Sequence, residues 1–146
     1  MIEIFTDGSA RNKYGGWGWV ATMHGKKICS GQGKCDHVTH QAMEIMAVIK
    51  ALEKFEVSEM KITIFSDSAY VVNCMNDKWY KQWEKNGWMA ANGDEVKNIE
   101  LWERLLKIRK KLWVKFVHVR AHQNNSGKLA TFNNFADELA SKRLKH

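Results

Sequence analysis

At 146 residues, with 45% apolar and 27% charged residues, the chain has the size and make-up of one globular domain spanning 1–146 and is unlike a disordered chain. No apolar run approaches the roughly 18 residues that a membrane-spanning helix needs, so no membrane association is expected. Lys plus Arg number 23 against 16 Asp plus Glu, a net charge of +7 that favours polyanionic partners.

Taken in chain order, residues 1–9 alternate and read as a first strand, and the segments 16–23 and 26–34, separated by Gly25, continue it as an antiparallel meander. From Thr39, the residues Ile45, Val48, Ile49 and Leu52 recur at i, i+3, i+4 and i+7, which predicts a helix with one buried face ending near Phe55. Residues 61–66 return to strand. Helical patterns follow over 68–76, 78–86 and 97–111, then a strand over 113–119 and a last helix over 133–144. The excursion 86–95 and the loop 121–131, rich in Asn, Ser and Gly, separate these elements, and the second is expected to be mobile. The order predicts a mixed α/β fold. The Met1–Asp7 segment lacks the basic start and long apolar stretch of a signal peptide, and Cys29, Cys35 and Cys74 form no C-x-x-C pair. A reducing cytoplasm and a monomer are expected.

Two strands run straight into an aspartate: 1–6 into Asp7-Gly8-Ser9, and 61–66 into Asp67-Ser68. Ligands gather outside the carboxyl ends of parallel strands, so two such strands would bring both carboxylates to one edge of a sheet. A single aspartate at a strand end serves equally as a turn or helix-cap residue; the matched pair points to a site. Glu44 shares a helical stripe with Val48, Ala51 and Phe55, where a carboxylate is costly unless a cation meets it. Asp137 occurs near the start of an apolar-striped helix, where an acid also favours the helix dipole. If the four converge, their repulsion calls for cations. Hard carboxylate oxygens suit Mg²⁺, and two such ions would clamp the attacking and leaving oxygens of a phosphodiester displacement.

The segments Phe5-Thr6-Asp7-Gly8-Ser9, Met43-Glu44-Ile45-Met46-Ala47, Ser66-Asp67-Ser68-Ala69-Tyr70-Val71 and Ala136-Asp137-Glu138-Leu139-Ala140, in this order and spacing, resemble type 1 ribonuclease H over nearly the whole chain. The resemblance implies a ribonuclease H-like fold, a five-stranded mixed sheet flanked by helices. It also implies that Asp7, Glu44, Asp67 and Asp137 ligate two Mg²⁺ or Mn²⁺ ions, and that the RNA strand of an RNA–DNA hybrid is cut to leave 5′-phosphate and 3′-hydroxyl ends. His122 matches the family's histidine of proton transfer and product release. Asn12, Thr39, Gln41 and Asn133 match positions of substrate contact, Thr39 toward a DNA phosphate and Gln41 toward the RNA minor-groove edge.

Three stretches depart from the family pattern. Residues 10–16 are shorter than the expected Gly/Pro-rich segment, Thr39-His40-Gln41 replaces a frequent Thr-Asn-Asn, and the segment between His122 and Asp137 is longer than usual. In 78–88, Trp79 and Trp83 lie four apart on one helical face while Lys78, Lys81 and Lys85 sit largely away from them. This resembles the family's basic protrusion, so Lys81, Trp83 and Lys85 become candidate contacts to the DNA strand; an amphipathic helix with solvated lysines has the same pattern. Lys107, Arg109, Lys110 and Lys111 form a second basic run, suited equally to a helix end and to substrate. Cys35, Asp36, His37 and His40 match no closed zinc pattern and read as loop residues. Two rival functions share this pattern: another nuclease of the same fold, such as a junction resolvase or integrase-like enzyme, and a non-catalytic nucleic-acid-binding module.

Overall fold

The computed structural model describes residues 1–120 and 127–141, apart from the side chains of residues 128 and 129. Strands β1 (Ile2–Arg11), β2 (Tyr14–Met23) and β3 (Lys26–Asp36) form the meander, and β4 (Lys61–Ser66) and β5 (Trp113–His118) complete a five-stranded sheet of order β3-β2-β1-β4-β5. β1 is the hinge of the topology, antiparallel to β2 and parallel to β4, which in turn runs parallel to β5. Helices α1 (His40–Lys54), α2 (Ala69–Asn76), α3 (Trp79–Lys85), α4 (Ile99–Arg109) and α5 (Lys128–Ser141) flank it. The fold class is the one expected.

The alternation of strand residues divides the core between two faces. Ile2, Ile4, Ile62, Ile64 and Phe116 pack with α1, α2 and α4 in the larger cluster, which includes Ile45, Ile49, Leu52, Trp102 and Leu105. On the opposite face, Phe5, Val20 and Phe65 pack with Ala136 of α5, the Phe5 and Phe65 rings stacked with centroids 4.7 Å apart. α1 begins where the Thr39 hydroxyl accepts a hydrogen bond from the Ala42 amide at 3.1 Å, satisfying one of the helix's free N–H groups. Its burial on nearly all sides follows from being held between the sheet and α4, to which a two-pronged Glu53–Arg104 ion pair fastens it at 2.7 and 2.9 Å.

Four boundaries in particular differ from the sequence expectation. β1 and β2 run on to Arg11 and Tyr14, joined by Asn12 and Lys13, both in the left-handed region (φ 52° and 70°). This is the two-residue turn that matches strand twist, and it accounts for the shortness of 10–16. β3 continues to Asp36 because its pairing with β2 persists to Tyr14↔Asp36. α5 begins at Lys128 rather than 133: the Thr131 amide and hydroxyl both donate to the Gly127 carbonyl, and Ala130 is buried, so 128–131 belong to the helix rather than to a loop.

Candidate active site

The parallel register brings the first two acids together. The last β1–β4 pair is Thr6↔Ser66, so Asp7 and Asp67 are the next residues on two adjacent strands at the same sheet edge. Glu44 arrives from α1, which approaches β1 unusually closely. A Cβ on Gly8 would lie 2.2 Å from the Glu44 nitrogen, so only glycine permits that packing. Gly16 and Gly18 of β2 play the same part beneath α5, where a Cβ would lie 2.0 Å from the Ala140 oxygen and 2.5 Å from the Leu139 Cβ, respectively. That close seating of α5 carries Asp137 to the cleft. The Asp7, Glu44 and Asp67 carboxylates each place an oxygen within 4.8 Å of the others. Asp137 hydrogen-bonds with Asp7 and joins them in lining an open cleft of about 560 Å³.

Burial and crowding oppose ionisation here. Asp7 is 4% exposed and Glu44 3%. Loss of hydration first, then the Glu44 charge, the hydrogen bond with Asp137 and the charges of Asp67 and Asp137, push Asp7 from its ordinary 3.8 up to about 10. Glu44 is also raised, chiefly by burial, with the His40 hydrogen bond working against that shift. One Glu44 oxygen meets His40 Nε2 at 2.8 Å, whereas Oε2 is buried with no hydrogen-bond partner among the described residues. An orphaned, buried carboxylate oxygen within an all-oxygen acidic cluster fits a hard divalent cation, which would relieve both the desolvation and the repulsion.

The other expected site residues are placed in several different settings. Gln41 lines the cleft beside His40, Ser68 and Tyr70. Thr39, whose hydroxyl caps α1, lines the adjoining depression with Asn98 and Lys97. Asn133 lies one helical turn before Asp137, 3% exposed, with no hydrogen-bond partner for its Oδ1 among the described residues. Asn12 is not brought to the cleft. It sits exposed at the hairpin tip, five strand residues and thus roughly 17 Å from Asp7. Lys81 and Lys85 are exposed on α3, while Trp83 is only 8% exposed among the rings of Trp79, Trp88 and Trp102, though it also lines a small cavity shared with Gln41 and Tyr70. In the second basic run, Arg109 lies against the Tyr80 ring and Lys111 pairs with Glu56, which leaves Lys107 and Lys110 exposed. His122 lies outside the described residues.

Three participants went unassigned in the sequence. His40 holds Glu44 rather than a zinc ion, and among the described residues no metal-compatible cluster forms around Cys35; the four-residue spacing of His40 and Glu44 on a helix was the available signal. His118 places Nε2 3.2 Å from the Asp67 carbonyl oxygen, bracing the turn after β4. Asn98, in the left-handed region (φ 64°), directs its amide toward Gln41 Oε1 at 3.5 Å. The last two contacts join residues more than fifty positions apart, and no local pattern announces them.

Comparison with known proteins covers the whole chain. The RNase H family model matches residues 1–145. Ribonuclease H of Chlorobaculum parvum is 39% identical over 145 residues, spanning 99% of this chain and 95% of that protein. Ribonuclease H of Caldicellulosiruptor saccharolyticus is 37% identical over 145 residues, spanning 99% and 96%. Among solved structures, the PFV RNase H domain superposes with a TM-score of 0.83 at 23% identity, covering 97% of this chain and 92% of that one. A foamy viral protease–reverse transcriptase in complex with RNA/DNA hybrid gives 0.83 at 24% identity; the match covers 97% of this chain but 19% of that much longer one. LC11-RNase H1, also in complex with RNA/DNA hybrid, gives 0.71 at 24% identity, covering 97% and 95%.

Proposed function

Because the chain belongs to the ribonuclease H family, we propose that it is an endonuclease that hydrolyses the RNA strand of RNA–DNA hybrids and leaves 5′-phosphate and 3′-hydroxyl ends. The observation that carries this reading is the cluster itself: Asp7, Glu44 and Asp67 with oxygens within 4.8 Å, and Asp137 against Asp7, in a chain of net charge +7. A polyanion is drawn to the basic exterior, yet the place where its backbone would be cut is acidic, an arrangement that works only with cations between the two.

Asp7, Glu44, Asp67 and Asp137 are the residues that would hold two divalent ions, Mg²⁺ or in its place Mn²⁺. Bound there, such ions neutralise the phosphate and stabilise the attacking and leaving oxygens of an in-line displacement. The chain's own contribution is positional. Strand register and the Gly8 approach fix the carboxylates before substrate arrives, so little reorganisation is left to the reaction. Gln41 lines the cleft beside the cluster, which supports its assignment to a minor-groove edge, where 2′-hydroxyls distinguish RNA from DNA. Thr39 offers its hydroxyl to the DNA strand, and Lys81 and Lys85 meet that strand's phosphates farther along. Proton transfer is assigned to His122. The two foamy viral and LC11 structures with bound hybrid support the choice of substrate. We further propose a monomer acting as a single domain in the cytoplasm, in keeping with free thiols at Cys29, Cys35 and Cys74.

The test is incubation of the purified protein with end-labelled hybrid, double-stranded RNA, DNA duplex and a four-way junction, with and without Mg²⁺. Ion-dependent cleavage confined to the RNA of the hybrid is expected. Cutting of the junction instead would identify a resolvase, and hybrid binding without cleavage in Mg²⁺ or Mn²⁺ a non-catalytic module.

A further inference from the structure

We propose that His40 is a positioning residue for the metal site: its Nε2 holds Oε1 of Glu44, leaving Oε2 as the oxygen available to an ion. The two side chains are one helical turn apart on α1 and 2.8 Å from each other. Glu44 is buried while His40 is largely exposed at the cleft mouth, with side-chain exposures of 4% and 64%. A carboxylate in that position can rotate about its last bond and offer either oxygen, or both. A donor on one oxygen removes that freedom, and Oε2 is the oxygen with no hydrogen-bond partner among the described residues. Neutral imidazole with its proton on Nε2 suffices as the donor. Carboxylates that bind metals are commonly oriented by such outer hydrogen bonds, whose loss costs about 10–100-fold in ion affinity.

The geometry also says which replacement should work. The side-chain nitrogen of glutamine stands about as far from the main chain as the histidine Nε2, so His40→Gln keeps a donor near the same point and His40→Ala removes it. Neither change touches the cap of α1, which belongs to Thr39. The inference rests on the reading of the carboxylates as ion ligands, and the experiment separates the two.

The measurement is calorimetric titration of Mg²⁺, and in parallel Mn²⁺, into the protein without nucleic acid, for wild type, His40→Ala, His40→Gln and Asp7→Asn. The expected result is a loss of about tenfold or more in ion affinity for His40→Ala, a change within about twofold for His40→Gln, and no measurable binding for Asp7→Asn. Unchanged affinity in His40→Ala overturns the positioning role while leaving the metal site standing. A loss in His40→Gln as large as in His40→Ala overturns it in favour of the imidazole as a direct ligand. Absence of ion binding in wild type, or binding that survives in Asp7→Asn, overturns the metal reading and the role of His40 with it.

Discussion

The acid cleft and the tryptophan–lysine excursion over 78–98 are built in opposite ways. In the cleft, Asp7 and Asp67 are fixed by main-chain pairing to within a residue, Glu44 by a helix seated against a glycine; Asp7 and Glu44 are buried, and the charges of the cluster oppose one another. In the excursion the backbone is irregular, with Lys78, Trp88 and Asn98 in the left-handed region and an isolated bridge between Met89 and Glu95. Its order comes from packed rings, Trp83 against Trp79, Trp88 and Trp102, while its lysines stand exposed. The cleft should therefore respond to mutation steeply and as a unit. The excursion should respond gradually, with stability and binding residing in different side chains.

The sharpest break is Asp7→Asn. Removing one ligand charge from the cluster should lower single-turnover cleavage by about 10³-fold or more, several kcal/mol of lost stabilisation, while hybrid affinity measured by anisotropy changes little. Cleavage near the wild-type rate would remove Asp7 from the chemistry.

Next in size is the contrast in stability. Trp83→Ala should cost about 3–5 kcal/mol in denaturant unfolding, since the ring is buried among three others. Gly8→Ala should cost about 1–3 kcal/mol, because a Cβ 2.2 Å from main-chain atoms of α1 forces the helix to shift. Unlike Trp83→Ala, it should also weaken ion binding, as Glu44 moves with that helix.

Smaller, and opposite in sign, is the response of the ion-free protein to pH. Asp7 and Glu44 have folded pKa values raised above their unfolded ones, so their contribution to stability is fully present below about 4 and is lost as pH rises, for Asp7 progressively up to about 10. In chelator at pH 8, Asp7→Asn should thus be more stable than wild type by about 1–3 kcal/mol, with the difference vanishing toward pH 4. Mg²⁺ should reverse the order by stabilising wild type alone. Thermal melts across pH, with and without the ion, provide the check; a wild type that remains the more stable in chelator at pH 8 would contradict the crowding of the cluster.

The gentlest effect belongs to Lys81→Ala/Lys85→Ala. It should weaken hybrid binding equally for all sequences and flatten the plot of log affinity against log salt by about one to two units, with unfolding unchanged. A folded double variant with the wild-type salt slope would leave these lysines as the solvated side of α3.

The sequence alone determined the order of elements, the helix α1 and its inward stripe, the two apolar runs that lead into an aspartate, and the four acids as candidates. Those features are local: strand alternation, helical period and a residue at the end of a strand are set by near neighbours in the chain, and His40–Glu44, four residues apart, was within reach of the same reasoning. Tertiary structure decided the rest. That β1 lies between β2 and β4, that the Asn12-Lys13 turn carries Asn12 away from the cleft, that the C-terminal half of α5 is seated over Gly16 and Gly18, and that Trp83 faces its neighbours all depend on which distant segment comes alongside. Asp7 illustrates the division. Its place after the alternating run of residues 2–6 is written locally, but its resistance to ionisation arises first from burial among elements distant in the chain and then from three carboxylates supplied by α1, α5 and the end of β4, and both depend on distance in space rather than along the chain.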